Sequence, residues 1–208
     1  MEASKEVTGE MKLREYLEEK YQERPWYEKY NTVTLYHGTT WERAQQIKKE
    51  GLKLPNVEQE IYDTLKKFNI KRDQVPDWVT SEIGHRRGLS RIYLTNSRDL
   101  ARRYATGGAS AFGGEAISNT VRKIMKHQGW DEKKIQKYLR PESLKYGIVV
   151  VDMPWEEAQI HNRKLAHMVQ TFKKVYGENW REEAAQQEIE FFSEKPIPKK
   201  YIVRVERI

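Results

Sequence analysis

Residues 32–51 have the sequence TVTLYHGTTWERAQQIKKEG, in which a strand pattern passes directly into a helix pattern. Apolar residues alternate with their neighbours from Thr32 to Thr40, and this period of two predicts a strand. Over 41–50 the apolar residues recur at helical spacing. Thr40 is suited to cap that helix and Gly51 to end it. The stretch therefore predicts a strand that runs without a linker into a short helix.

The rest of the chain mixes the two patterns without regular alternation. Helices are predicted over 9–24, over 58–68, after a cap at Asn96 or Ser97, over 115–139 with a split near Gly129, and over 155–177. Strands are predicted over 91–95, 147–154, 188–193 and 200–208, the last with Tyr201, Val203 and Val205 on one face, and TGGASAFGG, 106–114, predicts a flexible loop. This order predicts an α+β fold. We expect a helical extension over 1–31 and one domain over 32–208.

Composition excludes several classes of protein. In 208 residues there are 38 Lys and Arg and 31 Asp and Glu, which gives a net charge of +7. No apolar run approaches the ~20 residues of a membrane-spanning helix. The chain has no cysteine, which excludes disulfides, thiolate zinc sites and a cysteine nucleophile. The first twenty residues lack the apolar stretch of a secretory signal. We expect a cytoplasmic protein whose positive charge either attracts nucleic acid or only solvates the surface.

Three segments place polar or aromatic side chains at the ends of apolar strands: LYHGTT at 35–40, RIYLTNSRDLARRYA at 91–105 and EIEFFSEKPIPKKYI at 188–202. In the first, His37 either donates a hydrogen bond to a ligand hydroxyl or is a satisfied histidine before a turn. Gly38 allows the backbone to approach a ligand closely.

In the second segment, Tyr93 and Tyr104 are eleven residues apart across a strand, a turn and a helix. The two rings either pack in the core or hold a flat ring between them. In the third, Glu188 and Glu190 are two apart, so on a strand they share one face. They either solvate that face or stabilise a developing sugar cation, and Phe192 lies on the same side.

Other patterns are less informative. The five histidines lack metal-ligand spacing, so we expect no metal site. The glycine-rich stretch 106–114 has no GK[ST] after it and is not a P-loop. HRRG at 85–88 and the pair Arg102 and Arg103 either clamp phosphate or belong to the solvated surface.

Taken together and in this order, the three segments resemble the ADP-ribosyltransferase superfamily. The resemblance is to its branch with a His–Tyr–Glu triad, which includes the diphtheria-toxin-like enzymes and the poly(ADP-ribose) polymerases. YHGT, followed by a helix ending in GL, resembles the first motif of that family. IYLT, followed by a second tyrosine in a helix ending in YA, resembles the second motif. A strand with a glutamate, followed by IP-x-x-YI, resembles the third motif. The resemblance covers roughly 32–52, 89–106 and 186–205.

The resemblance implies a split antiparallel β core with an NAD cleft between two sheets. It implies that His37 bonds a ribose hydroxyl of NAD, that the backbone of Gly38 holds the nicotinamide carboxamide and that Thr39 contacts ribose. Tyr93 would be the triad tyrosine and Tyr104 the second stacking ring. The catalytic glutamate would be Glu190 or Glu188. We favour Glu190, with Glu188 holding or deprotonating the acceptor.

One position departs from the family pattern. The polymerases often have a serine three positions before the second tyrosine, where it bonds the carboxamide, but this chain has Ala101. One contact to nicotinamide is therefore lost or replaced. The residues before the first motif are too few for a helical regulatory domain of the polymerase kind. No feature of the sequence indicates chain elongation, so we expect mono-ADP-ribosylation. The acceptor stays open between protein, DNA, RNA and a small molecule, and we favour a macromolecule, protein or nucleic acid.

Two other readings remain. An RNA 2′-phosphotransferase shares this fold and uses NAD, but that family has a histidine where Tyr93 stands and lacks the late acid. The chain could also be an inactive module of the same fold that binds NAD or nucleic acid. Residues 53–88 and 106–140 match no motif, and we expect them to frame the acceptor site. The sequence leaves the oligomeric state open.

Overall fold

The computed structural model describes residues 31–81, 90–109 and 111–208. The predicted helix over 9–24 and the motif at 85–88 lie outside these residues. The described part is an α+β fold, as predicted, in which helices flank a five-stranded antiparallel sheet. None of the described helices is both long and apolar enough to cross a bilayer.

The sheet has the strand order β4-β2-β1-β3-β5, and every neighbouring pair is antiparallel. Its strands are β1 (Thr32–Thr40), β2 (Ile92–Thr95), β3 (Tyr146–Pro154), β4 (Glu190–Ser193) and β5 (Ile202–Arg207). The two strands that carry the first two motifs are therefore neighbours near the middle of the sheet.

The helices are α1 (Trp41–Glu50), α2 (Val57–Lys67), α3 (Arg98–Gly108), α4 (Glu115–His127), α5 (Glu132–Leu139), α6 (Trp155–His161), α7 (Arg163–Tyr176) and α8 (Trp180–Gln186). Short 3₁₀ turns lie at Arg72–Gln74, Gly177–Asn179 and Lys199–Tyr201, and residues 77–81 are also helical.

The junction of β1 and α1 forms as predicted. The hydroxyl of Thr40 accepts a hydrogen bond from the Arg43 amide at 3.4 Å and caps the helix. Gly51 ends it with φ of 85°, a left-handed conformation that glycine adopts without steric cost. The caps therefore set both ends of α1 at the residues that the sequence predicts.

A first hydrophobic core covers one face of the sheet. It joins Leu35 of β1 and Val149 of β3 to side chains of α1, α6, α7 and α8. Trp155 and Trp180 meet in it edge to face, with ring centroids 5.4 Å apart. The apolar run of β3 is buried on both faces, because α3 packs on the other side.

A second core lies apart from the sheet. Apolar side chains of α2, residues 70–79, α4 and α5 pack together around Ile61 and Ile124, both fully buried. We call these elements the helical unit. Most described residues of the two segments that match no motif, 53–88 and 106–140, thus share this core, whereas Leu54 packs against the first core and 106–108 belong to α3.

Two helix boundaries differ from the prediction. Helix α3 continues through Gly108, so the first part of the predicted loop over 106–114 is helical. The helix predicted over 155–177 is broken at Asn162, whose φ is −149°. The Asn162 side chain caps α7 by accepting from the Leu165 amide at 3.0 Å and donates to the Phe192 carbonyl at 2.5 Å. Asparagine favours such backbone bonds over a helix interior.

The last strand also differs from its predicted pattern. Tyr201 lies in a 3₁₀ turn, and the register between β3 and β5 shifts at Val150 and Val151. Tyr201 and Val205 still pack against the first core, but because of this irregularity Ile202 joins them in place of Val203.

Candidate functional site

The candidate site lies where β1 and β2 part. Within the described residues β1 pairs with β2 only at Tyr36 and Thr95, whereas it pairs with β3 along its whole length. The sheet is therefore one continuous sheet, not two, but it is nearly divided between the β4–β2 pair and the β1–β3–β5 group. The first two motifs lie on either side of this division.

The side chain of His37 bridges the two strands. Its Nδ1 lies 2.8 Å from the carbonyl oxygen of Tyr93, and because a carbonyl only accepts, Nδ1 carries the proton. Burial lowers the pKa of His37; the bond to Tyr93 opposes this and the charge of Arg43 adds to it. The neutral ring then presents a bare Nε2, so it accepts a hydrogen bond from a ligand hydroxyl instead of donating one.

Tyr93 and Glu190 lie on one face of the β2–β4 pair. Tyr93 stands opposite Phe192 and Glu190 opposite Thr95, and directly opposed residues project to the same side. The Tyr93 ring is 57% exposed, and its centroid is 6.3 Å from that of Phe192. A carboxylate and an accessible aromatic ring are thus adjacent on this face.

Helix α3 brings a second ring to the same face. The hydroxyl of Tyr104 donates a hydrogen bond to Glu190 Oε1 at 2.7 Å, and its side chain remains 42% exposed. This bond to Glu190, burial and the carboxylate charge together raise the pKa of Tyr104. Tyr104 therefore keeps its proton and orients one oxygen of the carboxylate.

Glu188 lies outside the strand that was predicted for it. Strand β4 begins at Glu190, and Glu188 belongs to the extended segment before it. Both glutamates are exposed. Because the regular strand starts only at Glu190, the prediction that Glu188 shares the face of Glu190 stays a prediction.

The segment before β4 is held by Asn96, a residue that the sequence suggested only as a cap. Its amide donates to the Gln187 carbonyl at 2.5 Å and accepts from the Ile189 amide at 2.7 Å. Ser97 caps α3 instead, by accepting from the Leu100 amide at 3.3 Å. Asn96 thus fixes the chain immediately before Glu190; its polar side chain at the end of β2 was the available signal.

Gly38 and Ala101 serve close packing. A β-carbon on Gly38 would overlap the Ala101 carbonyl oxygen and lie 2.7 Å from the Ala105 amide nitrogen. Ala101 and Ala105 are both fully buried. The absence of a side chain at Gly38 therefore lets α3 approach β1, and Ala101 offers no polar side-chain atom to a ligand.

Thr39 lies in the wall of a groove beside the candidate site. The groove has a volume of about 340 Å³ and runs between α1, α2 and the turn at 111–113. Arg43 and Glu60 join its two helices through a double contact, with N···O distances of 3.1 and 3.2 Å. Lys67 and Phe112 lie in its lining on the side of the helical unit. The groove therefore joins the end of β1 to the helical unit.

The structure brings some predicted residues together and separates others. Tyr93, Tyr104 and Glu190 share one face and lie in contact or adjacent. By strand alternation His37 projects from the opposite face, together with Leu35. His37 therefore meets the second motif through the backbone carbonyl of Tyr93 and not on the face that carries Glu190.

Other candidate groups are engaged in the fold or exposed at the surface. His161 is buried, with Nδ1 2.7 Å from the Ser193 hydroxyl. Arg102 and Arg103 are exposed. Across the described residues no group of His, Cys, Asp and Glu is placed to hold a metal ion.

The candidate site therefore offers two accessible phenol rings and an oriented carboxylate on one face of the sheet, and an imidazole acceptor on the other face. Such a set can hold a flat ring, bond sugar hydroxyls and stabilise positive charge. Comparison of the chain with protein-family models, with curated proteins and with solved structures finds no match.

Proposed function

We propose that this protein is a mono-ADP-ribosyltransferase that takes NAD as co-substrate and transfers ADP-ribose to a macromolecular acceptor. The observation that carries the proposal is the 2.7 Å hydrogen bond from Tyr104 to Glu190. These residues come from two separate motifs of the family resemblance, and the bond joins them over 86 positions. Neither residue needs this contact for the core, since both are exposed.

The near-division of the sheet also supports the proposal. A split antiparallel β core is what the family resemblance implies, and β1 and β2 pair at a single described position. His37 and Tyr93, from the first and second motifs, meet across that division. The described sheet is similar to such a core in the arrangement of its strands. We therefore propose that NAD binds at the gap between β1 and β2.

The residues present fit the chemistry of NAD. The exposed rings of Tyr93 and Tyr104 suit a flat nicotinamide ring, and the bare Nε2 of His37 suits a ribose hydroxyl. Ala101 supplies no hydroxyl for the carboxamide, so backbone groups near Gly38 would bond it alone. These are the roles that the exposed and polar atoms of the gap can fill.

Glu190 has the central role in this mechanism. Bound NAD supplies a ribose whose bond to nicotinamide breaks as positive charge develops on the sugar. Tyr104 holds Oε1 of Glu190 by its hydrogen bond, which leaves Oε2 able to accept from a ribose hydroxyl and to stabilise that charge. The exposed carboxylate of Glu188 would take the proton of the acceptor group.

The test is to incubate the purified protein with labelled NAD and cell lysate and to follow nicotinamide release and label transfer. Glu190→Gln should lower release about 10²–10³-fold, the usual cost of removing one preorganised charged group. Glu178→Gln, an exposed change outside the site, is the matched control. A larger loss for Glu188→Gln than for Glu190→Gln would contradict the assignment of the catalytic glutamate.

The two other readings give different results in the same assay. If the chain is an inactive module, the unmodified protein and Glu190→Gln should both bind NAD without releasing nicotinamide from it. An RNA 2′-phosphotransferase would use NAD only when RNA carrying a 2′-phosphate is supplied. Release without such RNA, lost in Glu190→Gln, would support the transferase alone.

A further inference from the structure

The helical unit carries a cluster of aromatic rings that pack against its hydrophobic core but are only partly buried by it. Phe68 meets Phe112, Trp130 and Tyr138 edge to face, with ring centroids 5.3, 5.8 and 5.2 Å apart. Trp130 and Tyr138 also meet, at 5.7 Å. We call these four residues the aromatic cluster. Its outer member, Tyr138, is 44% exposed, so the cluster is accessible from solvent.

Lysines surround this cluster. The ammonium group of Lys134 lies 4.1 Å from the centre of the Trp130 ring, and that of Lys67 lies 5.1 Å from the centre of the Phe112 ring. Both contacts are within the range in which a cation is attracted to a ring face. Positive charge is therefore held against the aromatic surface.

Two further lysines extend the charge along α5. Lys133 and Lys137 are exposed and one helical turn apart, and neither has an ion-pair partner within the described parts of the chain. The acidic Glu132 beside them is already bridged by Arg122 at 2.6 Å and by Lys126 at 2.8 Å. Among the described residues, the outer side of α5 therefore presents two lysines without an ion-pair partner.

This surface is continuous with the candidate site. Phe112 and Lys67 belong to its edge and also line the groove that reaches Thr39. Thr39 is two residues from His37. A chain lying on the aromatic cluster would thus reach the mouth of this groove at Lys67 and Phe112, while Glu42, Glu60 and Asp63 line the groove beyond them.

Rings and cations in this arrangement match one class of polymer. Unpaired bases stack on aromatic side chains, and phosphates between them pair with lysines. An acidic peptide would use the lysines but not the rings, and duplex DNA keeps its bases from stacking on the protein. We propose that the aromatic cluster and α5 bind single-stranded nucleic acid and bring it to the candidate site as the acceptor. The acceptor role rests on the proposed function, whereas the binding does not.

The experiment measures binding of a labelled twelve-nucleotide strand, as DNA and as RNA, by fluorescence anisotropy over a range of salt. Tyr138→Leu should weaken binding roughly 5-fold or more, the effect of losing one stacking ring. Lys133→Gln with Lys137→Gln should lower the slope of log affinity against log salt by about 1.4, since each phosphate contact on a single strand contributes about 0.7.

Matched controls lie on α7. Tyr176 is 43% exposed and contacts Phe172 at 5.3 Å, so Tyr176→Leu reproduces the change at Tyr138 on a different surface. Lys164→Gln with Lys174→Gln removes two exposed lysines there. These variants should bind the strand as the unmodified protein does. Thermal unfolding of each variant separates loss of binding from loss of fold.

Three results would overturn the proposal: unchanged binding in the Tyr138 and lysine variants, equal weakening by the α7 controls, or displacement of the strand by polyglutamate at equal charge. The assay is independent of the reaction. If the strand binds as expected but Glu190→Gln leaves nicotinamide release unchanged, the proposed function fails and the binding surface stands. If Glu190→Gln abolishes release while the lysine variants bind the strand normally, the proposed binding surface fails and the proposed function stands.

Discussion

The hydroxyl of Tyr104 donates a 2.7 Å hydrogen bond to Glu190 Oε1 and so ties α3 to the first residue of β4. Both side chains remain open to solvent, in contrast to the apolar residues around them. A charge-assisted bond of this kind holds the carboxylate in one orientation.

Tyr104→Phe should reduce kcat for nicotinamide release about tenfold with little change in KM. The ring that would contact nicotinamide is kept, while the bond that orients Glu190 is lost, and a hydrogen bond to a charged group contributes about 1.5–3 kcal/mol. Steady-state kinetics with NAD measure both constants. Tyr104→Leu, which also removes the ring, should raise KM as well; equal KM values for the two variants would argue against stacking.

Asn96→Ala should lower kcat with little change in KM, because Asn96 positions the chain before Glu190 without reaching the gap itself. It removes the hydrogen bonds to Gln187 and Ile189, and we expect a loss of about 1–3 kcal/mol in unfolding free energy. Denaturant unfolding and kinetics measure the two effects. Asn119→Ala removes one long bond of 3.4 Å on α4 and should change neither. An Asn96 variant of normal kcat would show that Glu190 does not depend on this clamp.

Gly38→Ala should destabilise the protein by about 3 kcal/mol, since the added methyl group overlaps the backbone of α3 at Ala101. Gly107→Ala is the matched control within α3. A β-carbon there would meet nothing within 4 Å, so that change should stabilise by about 0.5–1 kcal/mol through helix propensity. Thermal or denaturant unfolding measures both. Equal stability of the two variants would mean that α3 can move away from β1 without cost.

Stability should fall as the pH drops below about 6.5. Burial lowers the pKa of His161 and of His37 from the ordinary value of 6.5, so the unfolded chain binds protons more readily than the folded one. Their contribution is therefore complete above that value and is lost as the pH falls toward their folded-state pKa. Glu132, with a pKa lowered to about 2, titrates well below this range.

Calorimetry at pH 7.5 and pH 5.5 measures this loss as a lower Tm. His161→Gln should make Tm less dependent on pH across the interval, because the buried ring is removed. The exposed His167 on α7 serves as control, and His167→Gln should leave the dependence unchanged. A steeper dependence in His161→Gln would reverse the sign of the argument.

Local structure was largely predictable where short-range chemistry decides it. The bounds of β1 and α1 follow from the change of hydrophobic period at Thr40, and the left-handed Gly51 ends the helix as expected. The break at Asn162 was not predicted. The apolar periodicity of the sequence continues on both sides of Asn162. The helix is broken there because the Asn162 side chain donates a hydrogen bond to the Phe192 carbonyl, which lies on a strand thirty positions away.

The class of fold, the strand and helix of the first motif and the polar residues at strand ends could all be predicted without the structure. These depend on period, capping and turn chemistry, which act between residues a few positions apart. Other features depend on tertiary packing. Tyr104 bonds Glu190, and Glu188 lies before the strand. Gly38 lets α3 pack closely on β1, and parts of the two unmatched segments share one core. Each of these depends on how distant parts of the chain pack, because a contact across many positions forms only when the elements between them have taken their places.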